Sequence, residues 1–513
     1  MSVTRALNRA VRNFPENLAT EFRGRRQTYR EIEGRVARLA GAMQANGVNA
    51  GDRVAILAQN SDRYLEFLFA APWAGAVAVP VNTRFSTEEI RYALEDSGTS
   101  VLFADQAMLS AVQDLGPLPA AIRTLVMIDG AADGWLAYED MVAAGPAIPD
   151  MAVDENELCG IYYTAGTTSR SKGVMLSHRN LLSNAINAID GLRFNDRAIY
   201  MHSAPMFHLA DGTSTFAVTW TGGAHTFVPR FDAEDCLQTI ARVGVTNAQF
   251  VPTMIKVLID TCETGTYDLT SLRQILYGAS PIPDAHLKRA LELIPDCQFI
   301  HGYGMTETSS IATLLDPRYT TLTGPEAERR RSCGQEGLLV EVRVVDPDDN
   351  PLPAGAVGEV IMRGPNVMMG YWNMPEATAT ALRGGWMHSG DLGYLDDDGF
   401  LFLVDRLKDM IKTGGENVFS VEVEGAIAAI PEIAECAVIG IPDDKWGEAV
   451  HAVVVPRPGR DITAEAVIAH CRSVLTHYKC PRTVEVRQTP LPLSGTGKIL
   501  KRTLRDEYIA RQG

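Results

Sequence analysis

The rhythm of the apolar residues changes twice along the chain, and those two changes bound what it can fold into. In the first stretch short β-branched runs alternate with helical patterns: Val54-Ala-Ile-Leu, Val101-Leu-Phe-Ala, Thr124-Leu-Val-Met-Ile and Gln274-Ile-Leu-Tyr. That alternation predicts α/β layers around buried sheets. From Glu341 to Val404 strands are separated by Gly, Pro and Asp turns, as in Glu341-Val-Arg-Val-Val-Asp, which predicts a β-rich subdomain. Beyond Asp405 helix and strand patterns alternate again over 421–430, 436–441, 449–455 and 464–475, enough for a compact domain of about 100 residues. A chain of 513 residues exceeds one ordinary core. The expected fold class is therefore α/β. A large N-terminal domain of layered sheets and helices with a β-rich subdomain spans 1–405, and a small α+β C-terminal domain spans 406–513.

Composition narrows the partners. A formal charge of −16 argues against nucleic acid or an anionic membrane surface, which reward Lys/Arg patches. The longest apolar run, Phe67 to Val81, is broken by Pro72 and Pro80 and is shorter than the ~20 residues of a spanning helix, so it reads as buried core without a transmembrane segment. No apolar stretch at the start resembles a secretory signal, and eight cysteines stand singly with no Cys-x-x-Cys pair. Reduced thiols in a cytoplasmic protein are the expectation, with an organelle presequence as the minor alternative.

Four polar stretches carry chemistry. Tyr163-Thr-Ala-Gly-Thr-Thr-Ser-Arg-Ser-Lys172-Gly follows a strand-like run and precedes a helix-like segment starting near Ser177. Such a loop offers backbone N–H groups, hydroxyls and one cation to a polyphosphate. It is not a Walker A loop, because Ser171 precedes Lys172 and Gly173 follows it; a polar surface turn is the plain alternative. His301-Gly-Tyr-Gly-Met-Thr-Glu307 puts an aromatic between glycines, where nothing holds a base away from it. Thr306 offers a hydroxyl to phosphate and Glu307 a hard carboxylate to Mg²⁺, although Gly-Tyr-Gly also occurs in ordinary turns. Asp391 and Arg406 flank an expected hairpin from Tyr394 to Val404 and suit either a ribose diol or a surface salt bridge. Leu493-Ser-Gly-Thr-Gly-Lys498 is a flexible strap able to deliver an ammonium to an anionic centre, or a solvated tail turn.

In combination and order these stretches resemble the adenylate-forming superfamily of acyl- and aryl-CoA synthetases, luciferases and peptide-synthetase adenylation domains. The resemblance runs from Thr28-Tyr-Arg-Glu-Ile to Arg505. It includes Pro205-Met-Phe-His208, Leu276-Tyr-Gly-Ala-Ser-Pro281, Gly370-Tyr-Trp, Ile411-Lys412-Thr-Gly-Gly-Glu-Asn417 and Tyr478-Lys-Cys-Pro.

That resemblance implies ATP, Mg²⁺ and coenzyme A as cofactors and co-substrates, and a carboxylic acid as the small-molecule partner. Gly278, Ala279, Ser280 and Gly302-Tyr303-Gly304-Met305 would hold adenine, with Asp391 and Arg406 on the ribose. Thr164, Gly166, Thr167, Thr168 and Lys172 would cradle the β/γ-phosphates, Thr306 and Glu307 the α-phosphate, and Glu307 with Thr168 the metal. Lys498 would serve adenylation. A hinge near Lys408 would then turn the mobile C-terminal domain, so that Lys412, Gly415, Glu416 and Asn417 face thioester formation while His208 gates the acid pocket. Small, aromatic and apolar residues near His208–Ser214 and Phe250–Met254 favour a fatty or aromatic monocarboxylate, and Arg289 is expected to be exposed. A homodimer is compatible with all of this.

The phosphate loop departs from the usual family pattern at Ala165, Ser169 and Ser171. Competing activities on the same framework are amino-acid adenylation, against which His208 argues where an Asp would be wanted, and luciferase-like oxidation. A catalytically silent nucleotide sensor is the alternative of a different class, and Lys498, Lys172, Glu307 and Asp391 together speak against it.

Overall fold

A computed structural model describes residues 1–164, 171–278, 282–492 and 499–512. The chain groups into two units. One comprises Met1–Val342, Ile361–His388 and Gly399–Leu401, the other Arg343–Val360, Ser389–Asp398 and Phe402–Gly513.

The first unit contains two large sheets. In spatial order the eight-stranded sheet runs Gly370–Tyr371, Lys172–Ser177, Leu158–Thr164, Val77–Pro80, Arg53–Leu57, Val101–Ala104, Thr124–Met127, Leu136–Ala137. Neighbours from Leu158–Thr164 outward to Leu136–Ala137 are parallel, and Lys172–Ser177 and Gly370–Tyr371 join antiparallel. Its inner strands Val77–Pro80 and Val101–Ala104 are apolar and buried along their whole length; Ala55, Leu57, Val79, Leu102 and Ile161 form one core cluster. The apolar run at Phe67 to Val81 divides into the buried helix Asp62–Trp73, N-capped by Ser61, and the buried strand Val77–Pro80.

The nine-stranded sheet runs Gln335–Glu336, Thr313–Leu315, Gln298–Tyr303, Gln274–Gly278, Asn247–Phe250, Ile199–His202, Ala224–Phe227, Leu18–Phe22, Arg25–Thr28. It is parallel from Gln298–Tyr303 to Leu18–Phe22 and antiparallel at both ends. In such sheets ligands bind beyond the carboxyl ends of parallel strands, and Gln274–Gly278 and Gln298–Tyr303 end on the glycine-bearing segments singled out by sequence.

Strands Glu341–Val345, Gly358–Arg363, Met387–Leu395 and Leu401–Arg406 form a four-stranded sheet in that order. The second unit also holds a five-stranded sheet built on the long hairpin Ile433–Asp443 and Gly447–Pro456, with helices Ser420–Ala428, Ala464–Val474 and Lys501–Gln512. Val438, Val450, Val454, Ile427 and Val467 centre its core. The α/β class with a β-rich segment and a smaller C-terminal α+β portion is thus as expected. Among the described residues no helix is long and apolar enough to cross a membrane.

Candidate active site

At the end of two parallel strands, Gly278 lies opposite Gly302 and Tyr277 opposite His301. A Cβ on Gly278 would stand 2.6 Å from the Gly302 carbonyl oxygen, so only glycine lets the strands close here. Beneath them Tyr277 and His301 stack with ring centroids 4.9 Å apart. Burial holds the His301 pKa below its ordinary value, and Nδ1 must carry the proton because its partner at 3.0 Å is the Ser332 carbonyl oxygen. Ala279 and Ser280 fall outside the described residues.

After Tyr303 the chain turns back on itself. A Cβ on Gly304 would fall 1.8 Å from the Ser310 carbonyl oxygen. The return runs through Ser309 at φ 57° and Ser310 at φ 105°, a conformation that side-chain-bearing residues rarely adopt. Three buried side chains hold it there. Asn184 donates to the carbonyls of Ile311 (2.7 Å) and Thr308 (3.3 Å), Asn366 to that of Thr308 (2.9 Å), and the Thr213 hydroxyl to that of Ser309 (3.1 Å). The tight return presents Met305, Thr306 and Glu307 at its start, half-buried.

The phosphate-loop lysine arrives differently from the sequence expectation. Leu158–Thr164 and Lys172–Ser177 are antiparallel partners with Thr164 paired to Lys172, so the lysine opens a strand of its own. The helix expected near Ser177 does begin there, with Ser177 as N-cap of His178–Leu192, but one strand later than the lysine. The short run Lys-Gly-Val-Met-Leu-Ser is a strand because Gly370–Tyr371 and Leu158–Thr164 flank it. Gly166, Thr167 and Thr168 fall outside the described residues, as does Lys498.

Lys172 Nζ sits 4.6 Å above the centre of the Tyr371 ring, and the Tyr371 hydroxyl donates to Glu307 Oε1 at 2.8 Å. Burial, and Glu307 beside it, raise the Tyr371 pKa, which keeps this hydroxyl a donor. In the sequence Tyr371 belongs to the Gly370-Tyr-Trp stretch that carries the resemblance, with nothing beside it to indicate these contacts. Its two contacts lie far away in sequence and leave no local trace.

His208 is the N-cap of the helix Leu209–Thr221, on a segment fixed by Asn60. The Asn60 amide donates to the carbonyls of His202 (3.2 Å), Ala204 (2.8 Å) and Val228 (3.2 Å), and its oxygen accepts from the Met206 N–H (2.8 Å). Sequence reasoning also missed Asn60, Asn184 and Asn366, whose backbone partners lie far away along the chain. Arg289 lies exposed as expected, paired with Glu263 and Glu292.

In the second unit Asp391 Oδ1 and Arg406 Nε pair directly at 3.0 Å, with the carboxylate buried and the guanidinium half-exposed. Ile411–Thr413 and Glu416–Val418 form a hairpin whose Gly414-Gly415 turn has φ of 60° and 88°, the positive values a two-residue hairpin demands. Lys412 faces Asn417 across it, both exposed, and Glu416 faces Thr413.

Mg²⁺ commonly takes one or two carboxylates and completes its shell with phosphates and water. A single half-buried Glu307 with one oxygen anchored by Tyr371 suits that demand. ATP likewise suits a glycine-walled strand end with a lysine-bearing hairpin and a carboxylate in the same unit.

Comparison with known proteins agrees. Residues 7–372 match the AMP-binding enzyme family and residues 422–498 the AMP-binding enzyme C-terminal domain. Two proteins named feruloyl-CoA synthase, from Amycolatopsis sp and Streptomyces sp, are each 40% identical over 98% of both chains. A long-chain-fatty-acid–CoA ligase from Thermus thermophilus is 36% identical over 94% of this chain and 90% of its own. Among solved structures, ATP-bound MatB from Rhodopseudomonas palustris superposes with a TM-score of 0.88 at 30% identity, covering 99% of each chain. The o-succinylbenzoate CoA synthetase MenE from Bacillus subtilis, with ATP and magnesium ion, gives 0.84 at 28%, covering 98% of this chain and 99% of that one.

The chain belongs to the AMP-binding enzyme family of adenylate-forming ligases. Within it, the chain is an acid–thiol ligase of the acyl-CoA synthetase kind. It uses ATP and Mg²⁺ to activate a carboxylic acid as acyl-AMP, then passes the acyl group to coenzyme A.

Proposed function

We propose that the acid is an aromatic monocarboxylate of the phenylpropenoate type, processed in the cytoplasm by two bodies, 1–405 and 406–513, that turn about a hinge near Lys408. The identity of 40% with two feruloyl-CoA synthases over 98% of both chains carries the choice of acid. The small, aromatic and apolar residues from His208 to Ser214 and from Phe250 to Met254 are consistent with it.

The chemistry follows from charge. A carboxylate attacking the α-phosphorus must approach negative oxygens, and preorganised positive charge lowers that barrier. Magnesium, when bound, neutralises phosphate charge beside Glu307. Lys172 and the hydroxyls of Thr164, Thr167 and Thr168 hold the β/γ-phosphates, and Thr306 meets the α-phosphate. Gly278, Ala279, Ser280, Gly302, Tyr303, Gly304 and Met305 hold adenine, and Asp391 and Arg406 share the ribose. His208 orients the carboxylate. Lys498 stabilises the adenylation transition state and is withdrawn before thioester formation, when Lys412, Gly415, Glu416 and Asn417 face the thiol.

A panel of acids assayed for AMP release with and without coenzyme A tests the choice. Ferulate and related phenylpropenoates are expected to exceed fatty acids in kcat/KM by tenfold or more, a margin of about 1.4 kcal/mol. Preference for a long-chain fatty acid by that margin would overturn it.

A further inference from the structure

We propose that Tyr371 is a positioning residue of adenylation, orienting the Glu307 carboxylate through its hydroxyl and seating the Lys172 ammonium on its ring. The inference rests on Glu307 serving Mg²⁺ and Lys172 the phosphates. It adds a residue that makes those two act together.

Tyr371 is only 7% exposed, and its backbone is laced to both elements that carry its clients. Gly370–Tyr371 pairs antiparallel with Met175 and Val174, on the strand that begins at Lys172. The Met369 and Trp372 N–H groups donate to the carbonyls of Met175 (2.9 Å) and Gly173 (2.7 Å), and the Met368 N–H donates to the Glu307 carbonyl (2.8 Å). The Tyr371 N–H itself donates to Thr378 Oγ1 at 2.8 Å. A frame this closely tied lets one side chain hold two others at fixed separation.

The two contacts use different parts of the phenol. The hydroxyl donates to Glu307 Oε1 at 2.8 Å, which anchors one oxygen of the carboxylate. The ring face lies 4.6 Å from Lys172 Nζ, where the quadrupole attracts a cation without neutralising it. A carboxylate in the same place would pair with the lysine and compete with phosphate. A neutral ring holds the lysine weakly enough to release it.

The division of labour makes the variants distinguishable. Tyr371→Phe keeps the ring and its volume and deletes the hydroxyl; Tyr371→Leu removes both. ATP binding is titrated calorimetrically without acid or coenzyme A, in EDTA and at graded Mg²⁺. For Tyr371→Phe the Mg²⁺ concentration giving half its effect on ATP affinity is expected to rise about tenfold, the size of one lost hydrogen bond to a charged group. Its affinity in EDTA should stay that of the wild type. Tyr371→Leu should show the same Mg²⁺ shift and, in addition, about threefold weaker ATP binding in EDTA. An unchanged Mg²⁺ dependence in Tyr371→Phe, or equal EDTA affinities in the Leu and Phe variants, would overturn the proposal. Glu307→Gln separates the two layers. If it leaves Mg²⁺ dependence untouched, the metal role of Glu307 falls and takes Tyr371's with it. If it shifts the dependence and Tyr371→Phe does not, Tyr371 alone is refuted.

Discussion

His178 is 3% exposed, and its Nδ1 accepts the Val3 N–H at 3.2 Å, so the N-terminal segment is pinned to the start of the His178–Leu192 helix by a neutral imidazole. Burial, with the Met1 ammonium nearby, pushes its pKa down to about 4. A depressed pKa means that the contribution to stability is present above the ordinary value near 6.5 and is lost as pH falls towards 4. Between pH 7 and pH 5 the wild type should lose about 2 kcal/mol more than His178→Gln, which keeps an acceptor for the Val3 amide. Urea denaturation at the two pH values checks this, and equal losses would contradict it. Residues of this kind were not legible in the sequence. Gly304 and Glu307 were singled out by a glycine–aromatic–glycine run and a nearby carboxylate, whereas Gly278 was reached only through the family resemblance. Tyr371 and Asn184 act on partners more than sixty residues away, and nothing beside them says so.

At the scale of elements, the helix Leu209–Thr221 joins the turn at His208 to the return through Ser309 behind Glu307. His208 caps it, Thr213 bonds the Ser309 carbonyl behind Glu307, and Asp211 in its first turn is fully buried. Asp211 Oδ2 lies 2.6 Å from His202 Nδ1 and Oδ1 accepts from the Tyr200 hydroxyl at 3.0 Å; His202 Nε2 continues to His225 Nδ1 at 3.0 Å. A carboxylate is tolerated there only because each oxygen has a partner. His202→Leu strips one away and should cost about 3 kcal/mol or more of stability. Thermal melts would show it as a clear drop in Tm, and an unchanged Tm would mean that the network is dispensable. The strands Arg53–Leu57, Val101–Ala104, Thr124–Met127 and Gln274–Gly278 announced themselves through β-branched runs, and the long apolar run resolved into core as expected. The strand Lys172–Ser177 did not announce itself. Lys-Gly-Val-Met-Leu-Ser carries a single β-branched residue and no run of them, and its pairing with Leu158–Thr164 exists only once the sheet has formed.

For the whole molecule, the order of the four polar stretches revealed more than any one of them. It pointed to the family and to the glycine-bearing strand ends at Gly278 and Gly302. What the order left hidden is the framework behind those stretches: Asn60 under His208, and Asn184 and Asn366 behind Glu307; the pairing of Asp391 with Arg406 is the salt bridge their types allowed. The central claim is that Lys498 serves the attack on ATP and not the later attack by the thiol. The two half-reactions of Lys498→Ala, followed separately, test this most directly. Acid-dependent pyrophosphate–ATP exchange should fall several-hundred-fold, the scale of one preorganised contact to developing charge. Thioester formation from supplied acyl-adenylate and coenzyme A should proceed within a fewfold of the wild type. Equal loss of both half-reactions, or exchange at the wild-type rate, would contradict the account.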